Sequence, residues 1–368
     1  MEVFCQMINH CIGLGLQNDI TSLKKFSAMF YHELDGYQIY SRYKLNAISQ
    51  ACRILSIRKR AMKKGIIPAS PFVRKLFLIS CYGFKINGRF LTIPVGDRKY
   101  VNIVLNHHTA TKLTGAEPRA FIITPNSLSI CIRKEVQEVV AESVIGIDRN
   151  LRNVTISTQN ETIMYRTEKL LSIKENTTHV VASFKRNDRR VKKFYQKRLG
   201  NRRARRVRQL LHKISKDIVS RAIQSKSMIV LEDIKGIRKL YRKGNGQGKN
   251  YRRKLNSWSF YELQRQIQYK SEWEGIPVRF VDPKCTSQLC PICGNRIQGG
   301  RFHSRKLWCG NCERLMDRDV VAAMNISYKG WSGFFHPRGL SVEAMRGNVD
   351  KLKPLILRAD GSNLQIKK

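Results

Sequence analysis

Residues 290–326 read CPICGNRIQGGRFHSRKLWCGNCERLMDRDVVAAMNI, and two kinds of chemistry are written into them. Cys290 and Cys293 are two residues apart, Cys309 and Cys312 likewise, and fifteen residues separate the pairs. A two-residue gap lets one tight turn point both sulfurs at a single ion, and two such knuckles supply the four thiolates of a closed tetrahedral zinc site. One structural Zn²⁺ is therefore expected on Cys290, Cys293, Cys309 and Cys312, within a ribbon at about residues 285–314. A disulfide pair would need an oxidising compartment, and a redox Cys-x-x-Cys would need only one pair. Cys285 and His303 lie nearby, but four cysteines already close the site.

The second chemistry starts where the knuckles end. Asp319 opens the helical run VVAAMNI, and Ala322, Ala323 and Ile326 share its face at i+3, i+4 and i+7. Small alanines let such a helix lie close to a sheet and aim the carboxylate at the strand ends. Upstream, Asp148 ends the apolar run Val144-Ile145-Gly146-Ile147, and Glu232 ends Ile229-Val230-Leu231, so each acid closes an expected buried strand. Taken singly, Asp148 also reads as a turn former, Glu232 or Asp233 as surface, and Asp317 or Asp319 as a helix N-cap. Together, like charges in one fold call for cations, and two Mg²⁺ or Mn²⁺ ions on such carboxylates can hydrolyse a phosphodiester.

The bulk of the chain points to the same substrate class. Among 368 residues, 69 Lys and Arg stand against 27 Asp and Glu, a formal charge of +42, which implies a polyanionic partner. No apolar run is long enough for a membrane span, and MEVFCQMINHCIG lacks the basic-then-apolar order of a signal peptide. The crowding of four of ten cysteines at metal spacing reads as a reducing, cytoplasmic setting. Cys5, Cys11, Cys52, Cys81 and Cys131 read as small buried hydrophobes.

Texture divides the chain. Residues 1–72 are helical in spacing (Leu45, Ile48, Cys52, Leu55), and the basic stretch at 54–65 gives way to Pro68 and Pro71. Residues 73–143 carry short β runs (RFLTIPV, YVNIVL, AFIITP, SLSICIR) between turn signals and imply a small antiparallel, barrel-like unit. From 144 to 330, strand, basic helix, strand, helix and strand alternate, the pattern of an α/β sheet with parallel pairs. Between Lys185 and Lys216 there are 15 Lys or Arg and one acid, with Val207, Leu210, Leu211, Ile214 and Ile218 at helical spacing. That is a basic amphipathic helix suited to phosphate contact. KGIRKLYRKGNGQGKNYRRKLN (235–256) reads as a mobile basic loop, and 331–368 as a partly disordered tail.

The segments GIDRNLRNVTIST, IVLEDIKG, VDPKCTSQLCPICG and DRDVVAAMNI occur in the order and spacing of the TnpB proteins of insertion sequences, and the chain resembles that family over roughly residues 75 to 330. The resemblance implies a multidomain α/β protein: an RNase H-like RuvC nuclease domain with an inserted zinc ribbon, preceded by an α-helical recognition lobe and a wedge domain. It implies that Asp148, Glu232 and Asp319 are catalytic acids holding Mg²⁺ or Mn²⁺. It further implies a guide RNA from the transposon end, a double-stranded DNA target beside a short adjacent motif, and RNA-guided DNA cleavage. The alternative is a guided DNA-binding repressor that cuts nothing. Two departures stand out: Val321 takes a position that is Asn in the family, and the chain starts almost directly in helix where relatives begin with a wedge strand.

Overall fold

The computed structural model describes residues 1–96, 98–185, 188–234, 236, 246, 248–299, 305–332 and 354–359. They form two compact units, Met1–Glu135 and Val136–Lys368.

The first unit begins with helices α1 (Glu2–Gln17), α2 (Leu23–Phe30) and α3 (Arg42–Met62). Strands β1 (Leu78–Ser80), β2 (Lys85–Asn87), β3 (Phe90–Gly96) and β4 (Lys99–Val104), helix α4 (His107–Leu113), and strands β5 (Glu117–Thr124) and β6 (Ser127–Arg133) follow. The strands make two antiparallel three-stranded sheets, β1-β5-β6 and β2-β3-β4. Phe4, Ile8, Tyr43 and Ile48 from the helices share one core with Leu91, Ile93 and Phe121 from the sheets. The division expected near residue 72 thus falls inside a single packed unit, because neither the helices nor such short sheets bury their apolar faces alone. Cys5, Cys11 and Cys52 are buried as expected, whereas Cys81 and Cys131 are exposed. Cys131 sits on the outward face of β6, where burial alternates along the strand.

The second unit is built on a six-stranded sheet. Its strands are β7 (Ser143–Arg149), β8 (Asn153–Ser157), β9 (Thr162–Arg166), β10 (Ser227–Glu232), β11 (Val278–Val281) and one from the end of the chain, Leu355–Arg358. Numbered in chain order, the last is β15, after β12 (Gln298–Gly299), β13 (Lys306–Cys309) and β14 (Arg314–Asp317) of a separate three-stranded ribbon. The order is β11-β10-β7-β8-β9-β15, with β10 parallel to both β7 and β11, and β15 parallel to β9. Residues 354–359, read from the sequence as part of a tail, therefore supply an edge strand; the rest of 331–368 beyond Ser332 lies outside the described residues.

Alternation along the strands assigns their faces. Ile145, Ile147, Ile229 and Leu231 pack with Leu211, Ile214 and Ile218 of α6 (Arg189–Gln224) and with Leu263 and Ile267 of α8 (Phe260–Trp273). Helix α5 (Glu168–Ser183) lies against α6, whose basic first half, Arg189 to Arg206, buries no residue. On the opposite face Val144, Met228 and Val230 pack with Ile326 and Trp331 of α9 (Arg318–Ser332). From within the stretch read as a loop, Lys249–Ser257 forms helix α7, anchored by buried Leu255; 235, 237–245 and 247 lie outside the described residues.

Candidate active site and zinc centre

The register of the sheet explains why the acids meet. Met228 pairs with Val144 and Val230 with Gly146, so the α9 face carries Gly146 then Asp148 on β7, and Val230 then Glu232 on β10. A Cβ on Gly146 would lie 2.3 Å from the Ala323 carbonyl oxygen and 2.4 Å from the Ser327 nitrogen, so α9 rests directly on the bare backbone of β7. Gly330 makes a matching contact, where a Cβ would lie 2.2 Å from Val230 Cγ2. From Gly146 to Asp148 the strand advances about 6.7 Å. From Ala323 back to Asp319 the helix retreats about 6 Å. Asp319 is thereby delivered alongside Asp148.

Asp148, Glu232 and Asp319 line one pocket of about 630 Å³ together with Arg149, Arg305 and Thr286. Asp148 and Asp319 are buried, at 7% and 4% exposure. Each acid has an orienting donor. Asn150 Nδ2 donates to Asp148 Oδ2 at 2.5 Å, Asn153 Nδ2 to Asp319 Oδ2 at 2.7 Å, and Thr286 Oγ1 to Glu232 Oε1 at 2.7 Å. The Asp319 carboxylate also pairs with the Arg305 guanidinium. Asp317 performs the capping role that the sequence allowed for either aspartate: its Oδ1 accepts from the Asp319 N–H at 2.9 Å, leaving the Asp319 side chain to the pocket.

Burial, reinforced by the charges of Glu232 and Asp319 and opposed by Asn150, pushes the Asp148 carboxyl well above the usual range. Burial, opposed by the Thr286 hydroxyl and Arg149, also raises Glu232. Arg149, likewise buried, comes down to about 10 despite its acidic neighbours. Its Nη2 donates to the Glu232 carbonyl at 2.5 Å and its Nη1 to Gln264 Oε1 at 2.8 Å, tying β7, β10 and α8 together. A concave cluster of hard carboxylate oxygen donors suits a divalent cation. The carboxylates converge on the pocket without closing on one point: the cysteines are the only set of three or more metal-ligating atoms within 4.8 Å of one another among the described residues.

In that set the Cys290 and Cys312 sulfurs are 3.8 Å apart and those of Cys293 and Cys309 are 3.5 Å apart. A tetrahedron with Zn–S of about 2.3 Å has edges of about 3.8 Å, whereas a disulfide bond is about 2.05 Å long. All four cysteines are brought together and can hold a zinc ion. Gly294, with φ +77°, takes the left-handed turn of the first knuckle, and its N–H donates to the Cys290 carbonyl at 2.9 Å. Val321, the departure from the family pattern, is fully buried with Cys290, Ile297, Leu307, Cys309 and Met316, so this position joins α9 to the ribbon core and an apolar side chain belongs there. Asn325 seals the same junction by donating to the Thr286 and Leu289 carbonyls, both at 2.8 Å. His303 lies outside the described residues.

The Cas12f1-like TNB domain model matches residues 260–326, which hold α8, β11, the ribbon and the first turns of α9. A TnpB-like protein of Methanocaldococcus jannaschii is 33% identical over 262 residues, covering 67% of this chain and 92% of that protein. The chain belongs to the TnpB-like family. Within that family frame it is also similar to the CRISPR-associated endodeoxyribonuclease Cas12f1 of Sulfoacidibacillus thermotolerans, 36% identical over 117 residues, which are 32% of this TnpB-like chain and 25% of that protein. Among solved structures, a Cas12f1–sgRNA–target DNA complex aligns with a TM-score of 0.60 over 89% of the TnpB-like chain and 80% of its own, at 15% identity, and shows a shared compact α/β fold. No described helix of the TnpB-like chain is long and apolar enough to cross a membrane.

Proposed function

We propose that this chain is an RNA-guided DNA endonuclease of the RuvC type, hydrolysing phosphodiester bonds at Asp148, Glu232 and Asp319. The observation that carries the reading is the delivery of three acids, distant in sequence, to one pocket of a TnpB-like fold, two of them with carboxyl pKa values raised by burial, a penalty on the charged form that an added cation would offset. Asp148, Glu232 and Asp319 would hold Mg²⁺ or Mn²⁺, which when bound supplies a nucleophilic hydroxide and charge stabilisation for the leaving 3′ oxygen. Asn150, Asn153 and Thr286 fix the carboxylate rotamers, so the acids need little rearrangement. Arg305 neutralises Asp319 and is half-exposed, so it can swing to a DNA phosphate as that carboxylate takes up another cation.

In this reading the six-stranded sheet and its helices are the RNase H-like nuclease core, the cysteine ribbon is a structural zinc insert, and the first unit combines the recognition helices with the wedge strands. The guide RNA and the target duplex are the polyanions that the charge of +42 calls for, and the bare basic half of α6 is a phosphate-contacting surface. The test is to sequence RNA that copurifies with the protein, then challenge the ribonucleoprotein and Mg²⁺ with plasmids that match or mismatch the guide. Cleavage confined to matched plasmids is expected. Absence of any defined RNA, or cutting that ignores the match, contradicts the reading.

A further inference from the structure

Beside the acidic pocket lies a second cavity of about 650 Å³, also in the second unit. The two share Arg149, Leu255 and Phe260 in their walls, so the second opens next to the acids. Its volume falls in the range of small-molecule and cofactor sites, large enough for a nucleotide. Trp258, Tyr261 and Gln264 complete the wall used here.

Two features of that wall ask for a ligand. Trp258 and Arg149 are each 4% exposed, and among the described residues the indole Nε1–H of one and the guanidinium Nε–H of the other have no hydrogen-bond partner. Buried donors are almost always matched, so an unmatched one favours an acceptor placed against it. The terminal nitrogens of Arg149 are committed to Gln264 and to the Glu232 carbonyl, so the guanidinium is fixed where it stands. The second feature is aromatic. Phe260 meets Trp258 edge to face at 5.6 Å, and the Tyr261 ring is 71% exposed. Lys174 Nζ sits 5.3 Å from the Trp258 centroid and adds positive charge next to it.

Unmatched donors, available ring faces and a nearby cation select a flat, acceptor-rich, anionic ligand. We infer that this cavity receives the nucleotide adjoining the scissile phosphate, with its base against Phe260 and Tyr261 and its acceptor atoms toward Trp258 and Arg149. The inference rests on the reading of the three acids as the cutting centre. Arg149 would be the positioning residue that couples base docking to the Glu232 strand end, since one guanidinium touches both.

Two measurements test it. Guide-loaded Asp319→Ala protein is bound to matched duplexes carrying 5-iododeoxyuridine at successive positions, irradiated, and mapped by mass spectrometry. A crosslink to the peptide holding Phe260 and Tyr261 from one or two adjacent positions is expected; crosslinks only to other peptides overturn the proposal whether or not the wild type cuts. In wild-type protein that cuts, a single abasic residue is walked across the cut. Stacking on an aromatic platform is worth about 1–3 kcal/mol per base, so one position should slow cutting about 5- to 150-fold. Tyr261→Ala should slow cutting of intact DNA and remove the extra abasic penalty, because the lost base and the lost ring are the same contact. An equal abasic penalty in both proteins overturns the docking. Failure of the wild type to cut intact matched DNA counts against the nuclease reading alone, and the crosslink then decides the pocket.

Discussion

Replacing Gly146 with alanine tests the packing that assembles the candidate site. The new Cβ would stand 2.3 Å from the Ala323 oxygen, 2.4 Å from the Ser327 nitrogen and 2.9 Å from its Cα, all backbone atoms that no rotamer can move aside. Carbon–oxygen contacts normally begin at about 3.3 Å, so α9 must withdraw from β7 by about 1 Å. Overpacking of this kind costs about 1–3 kcal/mol, which corresponds to a fall in melting temperature of roughly 2–12 °C for a unit of this size. Asp319 rides the displaced helix one turn away, and a misplacement of about 1 Å at a reacting centre costs on the order of 100-fold in rate. Gly200→Ala on α6, where nothing lies within 4 Å, serves as the control and should be neutral or slightly stabilising. The assay pairs differential scanning calorimetry with single-turnover cleavage by the guide-loaded protein. A Gly146→Ala protein that melts and cuts like the wild type would refute the close helix–sheet contact as the positioner of Asp319.

Other outcomes follow from the same site. Asp148 has a raised folded-state pKa, so the fold holds its proton more tightly than the unfolded chain, and its contribution to stability declines as pH rises through the window above the unfolded value. Asp148→Asn should therefore melt higher than the wild type at neutral pH in Mg²⁺-free buffer, by about 0.5–2 kcal/mol, with a flatter pH profile; calorimetry across pH 4 to 8 checks this. Removing Arg305 leaves the buried Asp319 without its cation, and Arg305→Ala should lose about 1 kcal/mol in Mg²⁺-free buffer, with the deficit shrinking as Mg²⁺ is titrated in during thermal melts. Elemental analysis should find one zinc per chain, and Cys290→Ser or Cys312→Ser should lower that ratio and the melting temperature together. Because Val321 and Asn325 join α9 to the ribbon, zinc loss should also depress cleavage.

The sequence exposed those parts of the molecule that depend on local pattern. Cysteine spacing placed four sulfurs in one cluster, apolar runs placed Asp148 and Glu232 at strand ends, and Ala322 and Ala323 marked a helix that could approach a sheet. What stayed hidden depends on contacts between distant residues. Gly146 reads as one small residue in an apolar run until α9 lies across it. Asn153 is one polar residue at the start of β8 until its side chain reaches Asp319, 166 positions away. Arg305 is one cation among 69. Residues 355–358 look too short and isolated for a strand, and only pairing with β9 makes them one. Helix α7 was obscured by its polar composition, since a single buried leucine anchors it. The role of Val321 was equally invisible, because the ribbon core it fills is closed by residues on both sides of the knuckles.

The most direct test of the central claim is cleavage of guide-matched plasmid by three ribonucleoproteins carrying Asp148→Ala, Glu232→Ala or Asp319→Ala, each assayed with Mg²⁺ beside the wild type and beside a measurement of guide RNA binding. The account expects cutting by the wild type, its loss in every variant, and RNA affinity within a few-fold of the wild type throughout. Undiminished cutting by all three variants would contradict it.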